Sequence, residues 1–334
     1  YIITVSSLVR VGLIKSIIRR NKKMAALVET MYSTREKPWH GLGTVVAEAL
    51  TSSEALKCAG LDWRVVQEPI FTGFGEKVRG FRANVRDTDR KVLGVVTDRY
   101  KVVQNVEAFS FTDEMLGFGV RYETAGSLSE GRKIWLLARL PREYIIAGER
   151  FSPYLVFSNT HDGSGSVKVA ITPIRVVCNN TLNLALATAQ RCFTMIHTGN
   201  IADKIEEAKS TLFMAENYMD KLGIEFENLR KIKMPDNKVK EYVELLLPMD
   251  ANPTKTQKKN IQKLRSDILT RYHEAPDLKV LDGNAYRFIN AVSDFATHAE
   301  PLRRTANYNE NMFSRTIDGN PLIDKAYQLV KMAA

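Results

Sequence analysis

Between residues 63 and 177 apolar and polar positions alternate, and β-branched and aromatic side chains are frequent, which is the period of half-buried strands. The pattern predicts short strands over 63–71, 78–85, 91–97 and 100–104, with Asp87-Thr88-Asp89 and Thr97-Asp98-Arg99 as polar turns. At 106–116 the spacing becomes helical (Val106, Phe109, Met115, Leu116). Two further hairpins follow, 119–125 with 132–140 and 154–159 with 167–172, the second turning at His161-Asp162-Gly163-Ser164-Gly165-Ser166. Connections this short favour antiparallel pairing over crossovers through helices.

After Cys178 the period is helical throughout. Helices are predicted over 181–190, 201–222 (Ile201, Ile205, Ala208, Leu212, Ala215, Met219, Leu222), 239–247, 254–274 and 284–300. A last one opens at Asn320-Pro321, a capping residue followed by proline at the first helical position. Strands followed by helices predict an α+β fold: an antiparallel sheet built from hairpins in the N-terminal half, then a helical C-terminal half. The division expected is an antiparallel α+β domain over 24–195 and a helical region over 196–334.

The charge changes this picture less than its size suggests. The chain carries a net +10, but residues 1–23 hold Arg10, Lys15, Arg19, Arg20, Lys22 and Lys23 and no acid, leaving +4 for the rest. Arg19-Arg20-Asn21-Lys22-Lys23-Met24 is what a ribosome-binding sequence followed by a start codon yields when read in frame. Residues 1–23 are therefore expected to be a translated leader ahead of Met24. A signal peptide does not fit, because Arg10 and Lys15 interrupt the apolar run. No stretch of 18 consecutive apolar residues predicts a membrane span. Three cysteines without CxxC spacing argue against a disulfide framework or zinc ribbon and suit a reducing cytoplasm. The five histidines form no HxxxH or HxH pair, and Thr72-Gly73-Phe74-Gly75-Glu76-Lys77 lacks the phosphate-loop spacing. Neither a metal nor a cofactor is expected.

Two basic sets remain. Arg79, Arg82, Arg86, Arg90, Arg99 and Lys101 lie on predicted strands and turns among Phe74, Phe81 and Tyr100. Arginines interleaved with aromatics suit single-stranded nucleic acid, whose bases stack on rings. Lys255, Lys258, Lys259, Lys263 and Arg265 open a predicted helix without an intervening acid, a pattern for phosphate contact or an ordinary solvated face. The candidate nucleic-acid-binding residues are thus Arg79, Phe81, Arg82, Tyr100, Lys101, Arg175, Lys255, Lys258, Lys259, Lys263 and Arg265.

A different class of function is also open. Cys178 and His161 could form a nucleophilic pair oriented by Asn179 or Asn180, with the thiol at a strand-to-helix junction. The alternative is a small buried cysteine, with Asn180 capping a helix. Trp39-His40-Gly41-Leu42-Gly43 reads as a glycine-permitted turn with a core tryptophan, or as a site that stacks a base.

Several of these motifs together carry a resemblance. Trp39-His40-Gly41-Leu42-Gly43, Tyr122-Glu123-Thr124-Ala125-Gly126-Ser127-Leu128 with Gly131-Arg132, Asn159-Thr160-His161-Asp162-Gly163-Ser164 and Arg175-Val176-Val177-Cys178-Asn179-Asn180-Thr181-Leu182 occur in this order. With Asn290-Ala291-Val292, Arg303, Arg304 and Gly319, the chain resembles the phage/plasmid-like protein family known as domain-of-unknown-function family 932. Ala285-Tyr286 departs from it, a tryptophan being expected there. The resemblance implies a mobile-element setting near replication and recombination genes, and supplies no catalytic residues. The hairpins followed by a helix are similar, at fold level only, to the core of Rad-fifty-two-type annealing proteins. The expected function is a cytoplasmic nucleic-acid-binding accessory protein that binds or anneals single-stranded DNA, open to homo-oligomerisation and with no membrane partner. The alternatives are the Cys178/His161 enzyme and a host-interaction protein without catalysis.

Overall fold

The computed structural model describes residues 28–33, 44–45, 50–116, 121–140, 142–175, 180–181, 192–305 and 319–332, with residues 308, 311 and 315. The strands are β1 (Val28–Ser33), β2 (Thr44–Val45), β3 (Val65–Phe71), β4 (Lys77–Arg86), β5 (Val92–Thr97), β6 (Arg121–Leu128), β7 (Lys133–Arg139), β8 (Tyr144–Ile146), β9 (Glu149–Thr160), β10 (Val167–Arg175), β11 (Asn180–Thr181) and β12 (Cys192–Met195). The helices are α1 (Ser52–Cys58), α2 (Asn105–Leu116), α3 (Ile201–Lys231), α4 (Asp236–Leu246), α5 (Lys255–Glu274), α6 (Pro276–Lys279), α7 (Ala285–His298) and α8 (Pro321–Met332). The fold is α+β as expected, with antiparallel hairpins first and helices after them. Two features depart from the expectation: the strands form two sheets, and β1 and β2 pair in parallel.

The larger sheet runs β11-β10-β9-β7-β6-β1-β2, with β8 added to β9 and β12 to β10; the smaller is β3-β4-β5. In the larger sheet β9 is a central strand, buried without a break from Phe151 to Thr160. Alternation then sorts its side chains between two cores. Leu155 and Phe157 join Leu136, Ile171 and the α2 residues Phe109 and Phe111 on one face. Val156 joins Leu128, Trp135 and Ala170 on the other. The β8–β9 hairpin closes on Ala147 and Gly148, both at positive φ (53° and 79°), the two-residue geometry that matches strand twist.

The helical half surrounds α7, in which Tyr286, Phe288, Ile289, Val292 and Phe295 are buried. Phe226 of α3 bridges the halves, its ring 5.5 Å from Phe151 of β9 and 5.1 Å from Tyr286. The Tyr286 hydroxyl donates to Glu149 Oε2 at 2.5 Å. The tyrosine at the position where the family resemblance implies a tryptophan is therefore a buried link between sheet and helices.

One predicted strand is absent. Residues 100–104 form no ladder; their main chain is engaged elsewhere. Lys101 N–H donates to the His197 carbonyl at 2.7 Å. The predicted helix over 181–190 falls outside the described residues except for Thr181, which lies in β11.

Candidate nucleic-acid interface

The small sheet has two unlike faces. Cross-strand register aligns Gln67, Asn84 and Gly94 on the inner face, turned toward the end of β9. Asn84 Nδ2 donates to the His161 carbonyl at 2.6 Å, and Gln67 Nε2 donates to Asn84 Oδ1 at 3.1 Å. Gly94 lies so close to Asp162 that a Cβ there would stand 2.5 Å from the Asp162 Cα. The opposite parity places Val66, Phe81 and Val95 on the outer face, where all three are exposed.

Phe81 is 45% exposed on this outer face, and Arg79 beside it is exposed as well. Arg82 has the other parity, and its Nε donates to Asp98 Oδ1 at 3.1 Å, an exposed pair of small energetic weight. Lys101 is exposed and, with Arg64, Gln67, Asp98, Tyr100 and Gln104, lines an open groove of about 430 Å³ beside the β3 edge. At that edge the Gln104 amide accepts from Val65 N–H at 3.0 Å and donates to its carbonyl at 2.9 Å. The side chain thus completes the hydrogen bonding a neighbouring strand would supply.

Tyr100 is not a stacking residue, against the expectation from the sequence. Its side chain is buried, its ring stacks on His197 at 4.4 Å, and its hydroxyl donates to the Thr160 carbonyl at 2.5 Å. Burial, with Asp162 nearby, raises its pKa above the ordinary tyrosine value. The ring is committed to the fold, so no base can lie on it.

The α5 lysines stand in a different unit, the helical core rather than the sheet core. The structure therefore does not bring the two basic sets into one cluster. Thr254 and Gln257 form a capping box that starts α5 immediately before Lys255. Lys255, Lys258, Lys259 and Lys263 are all exposed. Arg265 is the exception. With its side chain only 18% exposed, its Nε donates to the Leu247 carbonyl at 3.0 Å and Nη1 pairs with Glu244 at 3.4 Å. Arg265 clamps α5 to the end of α4 and is not free for phosphate. Arg175 lies in β10, paired with Phe151 and Asn180; its side chain lies outside what is described.

His161, the other partner considered for chemistry, is entirely buried. Nε2 is 2.9 Å from Asn105 Oδ1, and the ring meets Trp63 edge-on at 5.3 Å. Burial, with His197 adding to it, lowers its pKa to about 3, so the imidazole is neutral at pH 7. A ring fixed in this way, carrying no accessible face, is an interior strut and not a general base for an incoming substrate. Cys178, Asn179 and the Trp39–Gly43 motif lie outside the described residues, as do 182–191, where the helix that Asn180 would cap is expected; Asn180 itself is in β11. Trp63 Nε1, Asn159 Oδ1, Thr160 Oγ1 and His161 Nδ1 are buried here without a partner among the described residues, so unsatisfied polar atoms concentrate where the two sheets meet.

Among the described residues two further phenylalanines are exposed, Phe71 and Phe74, neither of them among the candidate contact residues drawn from the sequence. Phe71 is 56% exposed and Phe74 fully exposed, at the end and tip of the β3–β4 hairpin. The sequence carries a signal for the second: a phenylalanine between two glycines, inside a turn, has no core to reach. Among the described residues no group of three or more His, Cys, Asp or Glu is placed to hold a metal, and no helix is long and apolar enough to cross a membrane.

No curated protein and no solved structure matches the chain. Residues 92–316 match the family described as "Domain of unknown function (DUF932)". That segment holds β5 to α7, including the β9–β10 hairpin and the α5 lysines, while β3, β4 and their phenylalanines precede it. With well over half of the chain matched, the protein belongs to the DUF932 family.

Proposed function

We propose that the protein is a phage- or plasmid-borne accessory factor that binds single-stranded nucleic acid in the cytoplasm, during replication or recombination. The observation that carries this reading is the open ring of Phe81 on the outer face of the small sheet, beside the exposed Arg79. A base stacks on such a ring regardless of its identity, and cations alongside follow the phosphates. Lys255, Lys258, Lys259 and Lys263 add a second, purely electrostatic surface; all four are exposed, and the first turn of their helix holds no acid, which leaves their charge to phosphate.

The role proposed is binding, extended to annealing of the strands it holds. The test is titration of fluorescent single-stranded and duplex oligonucleotides at two salt concentrations. Salt-dependent binding that prefers single strands and weakens in Phe81→Ala supports the reading. Equal affinity of Phe81→Ala and the parent would remove the stacking face from it.

A further inference from the structure

We propose that the β3–β4 hairpin is a wedge that enters nucleic acid where a duplex opens into single strand, with Phe74 at its tip stacking on the last paired bases. This rests on the single-strand reading above and adds a structural preference to it, for junctions over uniform single strand.

The tip is built to hold the ring clear of the protein. Thr72 N–H donates to the Glu76 carbonyl at 2.7 Å, Gly75 N–H to the Thr72 carbonyl at 2.9 Å, and Glu76 N–H to Thr72 Oγ1 at 3.2 Å. The loop is therefore a closed, hydrogen-bonded turn with Gly75 at φ 84°. A Cβ on Gly73 or Gly75 would find nothing within 4 Å, so neither flank of Phe74 is occupied. Phe71 and Phe81 are exposed behind it on the same hairpin. The stretch 71–82 carries Lys77, Arg79 and Arg82 against the one acid Glu76, and Lys77 and Arg79 are exposed. An exposed ring at a tip flanked by exposed cations offers both a stacking surface and charge for phosphate.

The junction preference follows from relative magnitudes. A base stacked on one ring gains about as much as, or less than, it costs to unstack an internal base-pair step. A single phenylalanine therefore does not open an intact duplex; it occupies a step that is already open. A lipid surface fits less well. The one ring at the tip buries less apolar surface than a fatty-acyl chain, which alone gives only marginal attachment.

The test uses the full chain and a forked oligonucleotide carrying 2-aminopurine at the junction, with single-stranded and fully duplex controls of equal length. The expected results are a change in 2-aminopurine emission on binding and a fork affinity about ten-fold above that for single strand. Phe74→Ala should abolish the fork preference and the emission change and leave the thermal midpoint unchanged; Phe74→Trp should restore them. If Phe74→Ala keeps the fork preference and the emission change, the wedge is overturned while single-strand binding stands. Binding of anionic phosphatidylserine vesicles that Phe74→Ala alone abolishes, without any fork preference, overturns it in favour of a membrane contact. Absence of binding to any oligonucleotide at low salt overturns the underlying reading as well.

Discussion

Asn84 of the small sheet donates to the main-chain carbonyl of His161 at 2.6 Å, and this buried hydrogen bond joins the two sheets. The same amide accepts from Gln67, so one side chain ties β3 and β4 to the end of β9. Asn84→Ala removes both bonds and leaves a buried carbonyl without its donor. The expected cost is about 1–3 kcal/mol, read as a lower urea midpoint at unchanged slope. Asn84→Asp should cost more, because it also sets a buried negative charge against the His161 carbonyl oxygen.

Gly94 is required for lack of space. A Cβ there would lie 2.5 Å from a backbone atom of Asp162, which cannot swing aside as a side-chain end would. Gly94→Ala should destabilise by roughly 1–3 kcal/mol through overpacking. Thermal unfolding checks this, and a midpoint within about one degree of the parent would show that the sheets do not touch at this point.

His161 gives a pH dependence of definite sign. Its folded pKa is lowered to about 3 by burial and by His197, below the value of about 6.5 expected when unfolded. The unfolded chain therefore binds a proton that the folded chain refuses as pH falls through this window. Stability from this site is complete above about pH 6.5 and declines toward about pH 3, at up to about 1.4 kcal/mol per pH unit. Urea titrations between about pH 7 and pH 4 should show the slope, and His161→Gln should flatten it.

Variants at lysine, phenylalanine and tyrosine positions separate binding from folding. Charge removal at Lys258, Lys259 and Lys263 should reduce the salt dependence of binding by about one unit of logarithmic slope for each phosphate that is no longer neutralised. Phe81→Ala should weaken single-strand binding by roughly 1–3 kcal/mol with little change in slope. Tyr100→Phe should lower stability by about 1 kcal/mol, because the Thr160 carbonyl then has no hydroxyl donor, and should leave binding alone.

The order of strands and helices is legible in the sequence because alternation and helical spacing are local properties of the chain. The β9–β10 and β6–β7 hairpins and α3, α5 and α7 follow directly from them. Tyr100 and Phe81 cannot be told apart in that way. Both are aromatics in alternating segments, and only the packing of His197, far along the chain, decides that one is covered. Residues 100–104 are likewise engaged away from any ladder, Lys101 N–H donating to the carbonyl of the same histidine. Arg265 is a case where the sequence holds more than its charge suggests. It falls four residues after Ile261 and three before Ile268, on the apolar side of α5, whereas Lys259 and Lys263 project away from it. Phe74 is visible too, once the glycine-rich turn is considered for the ring it displays as well as for its backbone.

The most direct measurement of the central claim is the affinity of the full chain for a fluorescent single-stranded oligonucleotide and its duplex, at about 50 and 200 mM salt. Binding that is tighter for the single strand, falls steeply with salt, and weakens in Phe81→Ala is the predicted result. No binding to either at the lower salt, with the protein shown to be folded, would contradict the claim.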